Sequence, residues 1–313
     1  MSEIATPGTI DILSKKKILI HTIALNRADL LKKMVESIDT KHEWDLVIDV
    51  VSKDPDILNY LESEKPTSEY WSKILLHKDS ATTMHINNIG YNIGVAQCWN
   101  DALEYGYEKK KYDRILFVNS DIEFGPGDID KMIAFSEAKP DKLITVCGTH
   151  GKHADWDEKN LSHGFAAAIL PPKIFEEVGY FDENFFPAYN EDCDYFTRLW
   201  LSRNLGPIKP GYDKISAKDS PIVECLRSGH THHEGSCVIY SDAKMMRLNL
   251  QSHSQNNRYY FAKWGELNDK EVNTTPFNEE LEYRIDLSNR HNPYPDHWDR
   301  SKEKERYYKT CES

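Results

Sequence analysis

A chain of 313 residues with 39% hydrophobic and 29% charged side chains can bury a real core and lies outside the disordered, collagenous and small disulfide-stapled classes. Its 39 basic side chains against 51 acidic ones leave a formal charge of −12, which argues against the broad basic surface of a nucleic-acid binder. Any anionic ligand has to be held locally. No apolar run approaches the roughly 18 residues that cross a bilayer; the longest are Ile115–Val118 and Phe165–Leu170. Met1–Lys17 has no apolar segment and ends in Lys15-Lys16-Lys17, unlike a secretory signal. The six cysteines (98, 147, 193, 225, 237 and 311) form no CxxC pair, so reduced thiols and a cytoplasmic setting are expected.

In chain order, Lys17–Ile23 is an apolar run of β type, followed by Ala24-Leu25-Asn26-Arg27 and by Leu30, Leu31, Met34, Val35 and Ile38 at helical spacing. Asn26 is the expected N-cap, with Asp29 in the first turn. A second strand is predicted over Asp45–Val51, closing at Ser52-Lys53-Asp54-Pro55, and a third around Lys73–Leu76. Asn92–Tyr107 is predicted as a helix, Arg114–Val118 as a buried strand ending at Asn119-Ser120-Asp121, and Ile129–Ala138 as a helix. Leu143–Cys147 and Gly164–Leu170 are the next strand candidates; helices are expected from Pro171 to Val178 and from Glu191 to Ser202. Alternating strands and helices predict an α/β fold with a mostly parallel sheet, whose ligands bind at the carboxyl ends of the strands.

The composition changes at Ser241. The last 73 residues hold ten aromatic side chains but only nine of Val, Ile, Leu and Met, too few for a core of their own. The expected organisation is an N-terminal extension (residues 1–14), a main domain (15–240) and an aromatic-rich appendage (241–313) packed on it and fraying after Ser301.

Several segments carry candidate chemistry. Asn119-Ser120-Asp121-Ile122-Glu123 places a carboxylate at a strand's carboxyl edge, where it can ligate a hard divalent cation, although an Asx-turn has the same pattern. Tyr189-Asn190-Glu191-Asp192-Cys193-Asp194 puts three acids in a helix's first turn; mutual repulsion would raise a pKa toward a useful base, and the helix dipole is the simpler alternative. Asp192 is the candidate base. Gly229-His230-Thr231-His232-His233-Glu234 holds three imidazoles; in an extended chain His230 and His232 share one face, which makes them the candidate ligands, while a solvated loop accounts for the composition equally well. Gly94, within Asn92–Asn100, allows backbone to approach a ligand.

Taken together these segments resemble a family 2 inverting glycosyltransferase of the GT-A fold, particularly its rhamnosyltransferase-like members. Ile18–Ile38 is similar to that family's opening strand, Thr-x-x-x-Asn-Arg loop and helix; Asp49–Pro55 is similar to its nucleotide-contacting stretch, and Asn92–Asn100 to its Asn-x-Gly-x-Ala-x-x-x-Asn element. Arg114–Asp121 matches the strand entering its DxD-type motif. Gly164–Arg198, with Phe-Asp-Glu-Asn-Phe-Phe and Glu-Asp-Cys-Asp, is the most specific stretch, and His232–Ser236 and Asn257–Gly265 echo its later elements. The resemblance implies an inverting hexosyl- or pentosyltransferase using a UDP-, GDP- or dTDP-sugar, a Mn²⁺ or Mg²⁺ ion at Asp121 with His232 or His230, and Asp192 as base toward a glycan or other hydroxyl acceptor. Thr22, Asn26, Arg27, Asp49, Asn92, Asn119 and Ser120 would border the donor; Glu191, Asp194 and Trp156 are the acceptor-side candidates. Asn119 stands where the motif's first Asp is usual, and Glu123 is a candidate for a contributing ligand. A hydrolase built on the His230, His232 and His233 cluster, or a silent nucleotide-sugar-binding module, are the rival readings.

Overall fold

Strand β1 (Lys17–Ala24) is buried on both faces: Ile18 and Ile20 enter one half of the core, Leu19 the other. That double burial is what an interior strand of a parallel sheet requires. The structure, a computed structural model, describes residues 15–63, 72–75, 83–150, 164–206, 220–234, 243–267, 270–294 and 299–312. Within them β1 pairs in parallel with β2 (Glu43–Val50) on one side and β5 (Arg114–Asn119) on the other. Outward from β2 lie β4 (Thr83–Asn88), parallel, and β3 (Ser72–Leu75), antiparallel. Outward from β5 lie β8 (Ala167–Leu170), β7 (Leu143–His150), β9 (Val223–His233) and the short β6 (Ile122–Glu123). Strands β1, β2, β4, β5, β7 and β9 run one way, and β3, β8 and β6 the other.

The mixed α/β sheet, mostly parallel and flanked by helices, is the predicted fold class. Helices α1 (Ala28–Glu36) and α4 (Asp128–Ala138) cover one face through Leu31, Met34, Ile129 and Met132. Helices α3 (Val95–Leu103), α5 (Pro172–Val178) and α6 (Glu191–Ser202) cover the other, where Trp99, Phe165, Phe181 and Tyr195 form an aromatic cluster. Helix α2 (Pro55–Ser63) starts where Asp54 accepts the free amides of Asp56 and Ile57, both at 3.0 Å.

Several expectations are corrected. The cap of α1 is Arg27 in the left-handed region, not Asn26. The helix predicted from Asn92 begins at Val95, because Asn92 is spent on a turn to the amide of Gly94, and it continues as a π-helical segment over Glu104–Lys109. Strands β4 and β9 were not predicted: Thr-Met-His-Ile-Asn-Asn and the histidine run are too polar for a hydropathy reading, and sheet pairing organises them. Cys225 is disulfide-bonded, contrary to the expectation of reduced thiols throughout, whereas Cys98 and Cys193 are free.

The C-terminal segment packs on this body. Helix α7 (Ala243–Trp264) inserts Tyr259, Tyr260 and Trp264 against Phe185, Phe277 and Tyr294. Gly179, at φ +76°, accepts the tight crossing of Ile285, whose carbonyl oxygen would lie 1.9 Å from any Cβ there; Tyr180 N–H donates to that carbonyl at 2.8 Å. Instead of fraying, the chain after Ser301 forms helix α8 (Ser301–Glu312), docked by Tyr307 and Tyr308 on Phe186. Residues 1–14 lie outside the described residues.

Candidate active site

The strand order creates the site. From β1 the chain moves outward to β2 and the edge strand β3, steps back to β4 between them, and then crosses to the opposite side of β1 as β5. Neighbouring connections therefore leave the sheet in opposite directions, opening a crevice at the carboxyl ends of β1 and β5. A cavity of about 320 Å³ occupies that position. Ile23 lines it from β1 and Leu25 from just beyond that strand, Val51 from just beyond β2, and Asn119, with the following Ser120 and Asp121, from the end of β5. Val95 and Trp99 of α3, with Phe165 and Ala166, supply apolar wall; Tyr189, Glu191 and Asp192 enter from the start of α6.

Asp121 and Asp192, 71 positions apart in sequence, thus face one cavity. Ser120 and Asp121 are buried, Asn119 is exposed, and the Asp121 carbonyl accepts the Glu234 amide at 3.1 Å. Asp121 Oδ1 lies 3.3 Å from Nε2 of His233. His230 is exposed, and His232 lies 3.3 Å from Glu234, so the imidazole facing Asp121 is His233, not the expected pair. The reason is register: His233 pairs with Ile122 of β6, beside Asp121. The face rule was also disturbed by a bulge. Cys147 pairs with Arg227 but Thr149 with His232, so β9 carries extra residues there, where the Ser228 hydroxyl and Thr231 Oγ1 are drawn to the buried carboxylate of Asp128.

The start of α6 is held in an unusual backbone. Tyr189 (φ 82°) and Asn190 (φ 70°) are successive left-handed residues, a costly conformation that the surroundings must enforce. Helix α7 does so: Asn256 Nδ2 donates to the carbonyls of Ala188 and Tyr189 at 2.7 and 3.0 Å, and Asn190 donates to Asn257 at 2.9 Å. Val95 N–H meets the Pro187 carbonyl at 2.7 Å, made possible by Gly94, where a Cβ would strike Phe186. Loss of hydration raises the pKa of Glu191 well above the ordinary range, with the Asp192 charge adding to it; burial raises that of Asp192 too. Glu191 Oε2 is buried with no hydrogen-bond partner.

This pair gives a signed stability prediction. A glutamate whose folded pKa is raised keeps its proton after the unfolded chain has lost one, so its contribution is fully present below the unfolded value and is lost as pH rises through the folded one. Glu191→Gln, which cannot ionise, is expected to melt at a higher temperature than the parent at about pH 8 and with it at about pH 4. Thermal unfolding monitored by circular dichroism at both values checks this; a lower melting temperature at about pH 8 rejects it.

The remaining predicted residues divide. Asn92 lines the cavity and donates to the Tyr307 hydroxyl at 3.2 Å. Asn26 and Arg27 line an adjoining cavity of about 680 Å³ that shares Leu25 and Met245 with the first; there Arg27 is paired with Asp29 at 2.7 Å. Thr22 faces neither cavity and is buried in the sheet. Asp49 is buried, accepting from Asn87 at 3.1 Å and bonded to His21 at 2.9 Å, so it belongs to the interior of the sheet and not to a donor rim. Asp194 is also internal, tied to Arg198 and Lys263 at 2.8 and 2.6 Å. Glu123 is exposed, and Trp156 lies outside the described residues. The sequence reading missed Met245, Leu248, Asn249 and Tyr307, which reach the main cavity from α7 and α8. A C-terminal segment rich in aromatics but poor in aliphatics announces a covering layer without saying which side chains reach the site.

Fold and site together define a mixed α/β protein with a half-open, partly apolar cavity at the switch point of its sheet, lined by acids from the end of β5 and from the start of α6. No protein-family model matches the sequence, and no curated protein matches it. Among solved structures the chain is similar to S. aureus TarS, with a TM-score of 0.46 and 13% identity over 74% of this chain; it spans 38% of that TarS chain. It is similar to TarS 1-349 in complex with UDP (TM-score 0.46, 11% identity, 78% of this chain and 72% of that one). The corresponding values for TarS 1-349 with UDP-GlcNAc are 0.46, 13%, 75% and 66%.

Proposed function

We propose that the protein is a glycosyltransferase of the GT-A fold, moving a hexosyl or pentosyl group from a nucleoside-diphosphate sugar to an acceptor hydroxyl with inversion. The observation that carries this reading is the single cavity at the sheet's switch point, shared by Asp121 on the β5 edge and Asp192 on the α6 edge. An inverting transfer needs a base at the incoming hydroxyl and charge stabilisation at the departing diphosphate, on opposite sides of the sugar.

Each wall has a suitable chemistry. Asp192, at the start of α6, accepts the proton of the acceptor hydroxyl; its raised pKa makes it a stronger base than an ordinary aspartate. The apolar wall of Val95, Trp99 and Phe165 excludes water that would otherwise take the acceptor's place. Asn119, Ser120 and Asp121 face the donor. Among the described residues no three metal-ligating side chains cluster, but Asp121 and His233 lie close enough to share one cation, and a bound diphosphate supplies the further oxygens such a site needs. They are the residues that would hold Mn²⁺ or Mg²⁺, which when bound neutralises charge on the diphosphate. Asn26 and Arg27, which line the adjoining cavity, would border the nucleoside.

Thermal shift with UDP-, GDP- and dTDP-sugars, with and without Mn²⁺, tests the reading. One donor class is expected to stabilise the parent, by about 2.7 kcal/mol at a hundredfold excess over Kd. Asp121→Ala is expected to lose the metal-dependent part of the shift. A protein that no nucleotide-sugar stabilises, or an Asp121→Ala variant with an unchanged metal response, would refute the corresponding assignment.

A further inference from the structure

We infer that the outer face of α7 docks on an anionic membrane surface. In a chain of formal charge −12, the 22 residues of α7 contain Lys244, Arg247, Arg258 and Lys263 and no Asp or Glu. Lys263 is buried; Lys244, Arg247 and Arg258 are exposed. Beside them on the helix surface lie three large apolar side chains, Met246, Leu250 and Phe261, exposed by 40%, 61% and 48%. Positions 246, 250 and 261 fall on one stripe at 3.6 residues per turn, and the basic positions 244, 247 and 258 fall along its flank.

The stripe continues past the helix end. Leu267 is exposed, and with Leu250, His253, Arg258, Phe261 and the half-buried Glu266 it borders a shallow groove of about 560 Å³. Four of the seven exposed large hydrophobic residues of the described chain belong to this face. Exposed apolar side chains clustered with basic ones are what an interfacial helix presents to lipid: the apolar stripe enters the headgroup boundary while the cations meet anionic headgroups. No described helix is long and apolar enough to cross a membrane, so the contact is lateral. A nucleic acid would use the three cations but leave Leu250 and Phe261 without a reason to be exposed.

The test uses the full chain and co-sedimentation with phosphatidylcholine vesicles, with and without phosphatidylserine. The parent is expected to sediment with the anionic vesicles only, and less so at high salt. Replacing Lys244, Arg247 and Arg258 together by Gln is expected to weaken binding by about fivefold per charge, about a hundredfold in all. Leu250→Ser with Phe261→Ser is expected to abolish the binding that survives high salt. All five positions are exposed, so unchanged circular dichroism and melting temperature report intact folding. Equal sedimentation with neutral vesicles, sedimentation with neither, undiminished binding by the Gln variant, or binding to an RNA oligonucleotide in place of vesicles would overturn the inference.

Discussion

Asp192→Asn is expected to lower sugar transfer by about a hundred- to ten-thousandfold while leaving the fold and donor binding intact. The amide keeps the size and polarity of the carboxylate and can still accept the Cys193 amide, which lies 2.7 Å from Asp192 Oδ1. It cannot take a proton from an acceptor hydroxyl. Because burial raises the pKa of Asp192, with its neighbour Glu191 also held high, the parent should lose activity on the acid side at a higher pH than an ordinary aspartate base would. The sign follows from the role: the base works ionised, so the rate falls as pH drops through its raised pKa, and the residual rate of Asp192→Asn should not follow that limb. The measurements are the pH profile of transfer and donor-induced thermal shift for both proteins. An Asn variant that transfers at near-parental rate while folded removes Asp192 from the mechanism; one that also loses the donor shift points to a binding role.

How much of this was legible in the sequence depends on where each signal resides. Ile115–Val118 announced an interior strand because a strand covered on both faces must be continuously apolar, and Asn119-Ser120-Asp121 fell at its carboxyl end as a consequence. The Glu191–Ser202 helix was delimited by its acidic first turn and apolar spacing, and its bounds match the structure. What failed was direction. Asp49, Asp192 and Asp194 are all acids beside plausible site segments, yet only pairing and packing decide that Asp49 turns to His21 and Asp194 to Arg198 and Lys263. The histidine run shows the same limit: composition says that imidazoles are present, but the bulge in β9 and the pairing with β6 select His233. Residues supplied by α7 and α8 were invisible because the inward face of α7 mixes Leu248, Tyr259 and Trp264 with Ser252, Asn256 and Lys263, so no apolar periodicity marks the side that docks.

The buried ion pairs of Lys263 carry the second large expectation. Lys263 is fully buried between Asp182 and Asp194, its ammonium 2.8 and 2.6 Å from their carboxylates. Burial opposes its charge, but the two carboxylates outweigh burial and hold its pKa above the ordinary lysine value. Asp194 also accepts from Arg198 and Trp264, and Asp182 from Tyr259 and Asn184, so the network is well satisfied. Removing one member leaves an uncompensated buried charge, which costs about 3 to 5 kcal/mol, whereas removing a pair is often tolerated. Lys263→Met is therefore expected to lower Tm by on the order of 10 °C, and Lys263→Met with Asp182→Asn to recover part of that loss, the non-additivity marking direct coupling. The pH dependence has a definite sign. Asp182 has its folded pKa depressed, so its contribution is fully present above the unfolded value and is lost as pH falls through the depressed folded one; the deficit of Lys263→Met should hold from neutrality down to about pH 4 and shrink below it. The same network ties α6, which begins with Glu191 and Asp192, to α7, whose Asn256 holds the Ala188 and Tyr189 carbonyls. Lys263→Met should thus also lower transfer in the fraction that remains folded, because the base loses its fixed position relative to Asp121. Unfolding midpoints at neutral and acid pH, compared across the parent, single and double variants, decide it: an unchanged midpoint for Lys263→Met would mean that aromatic packing alone holds α7 in place.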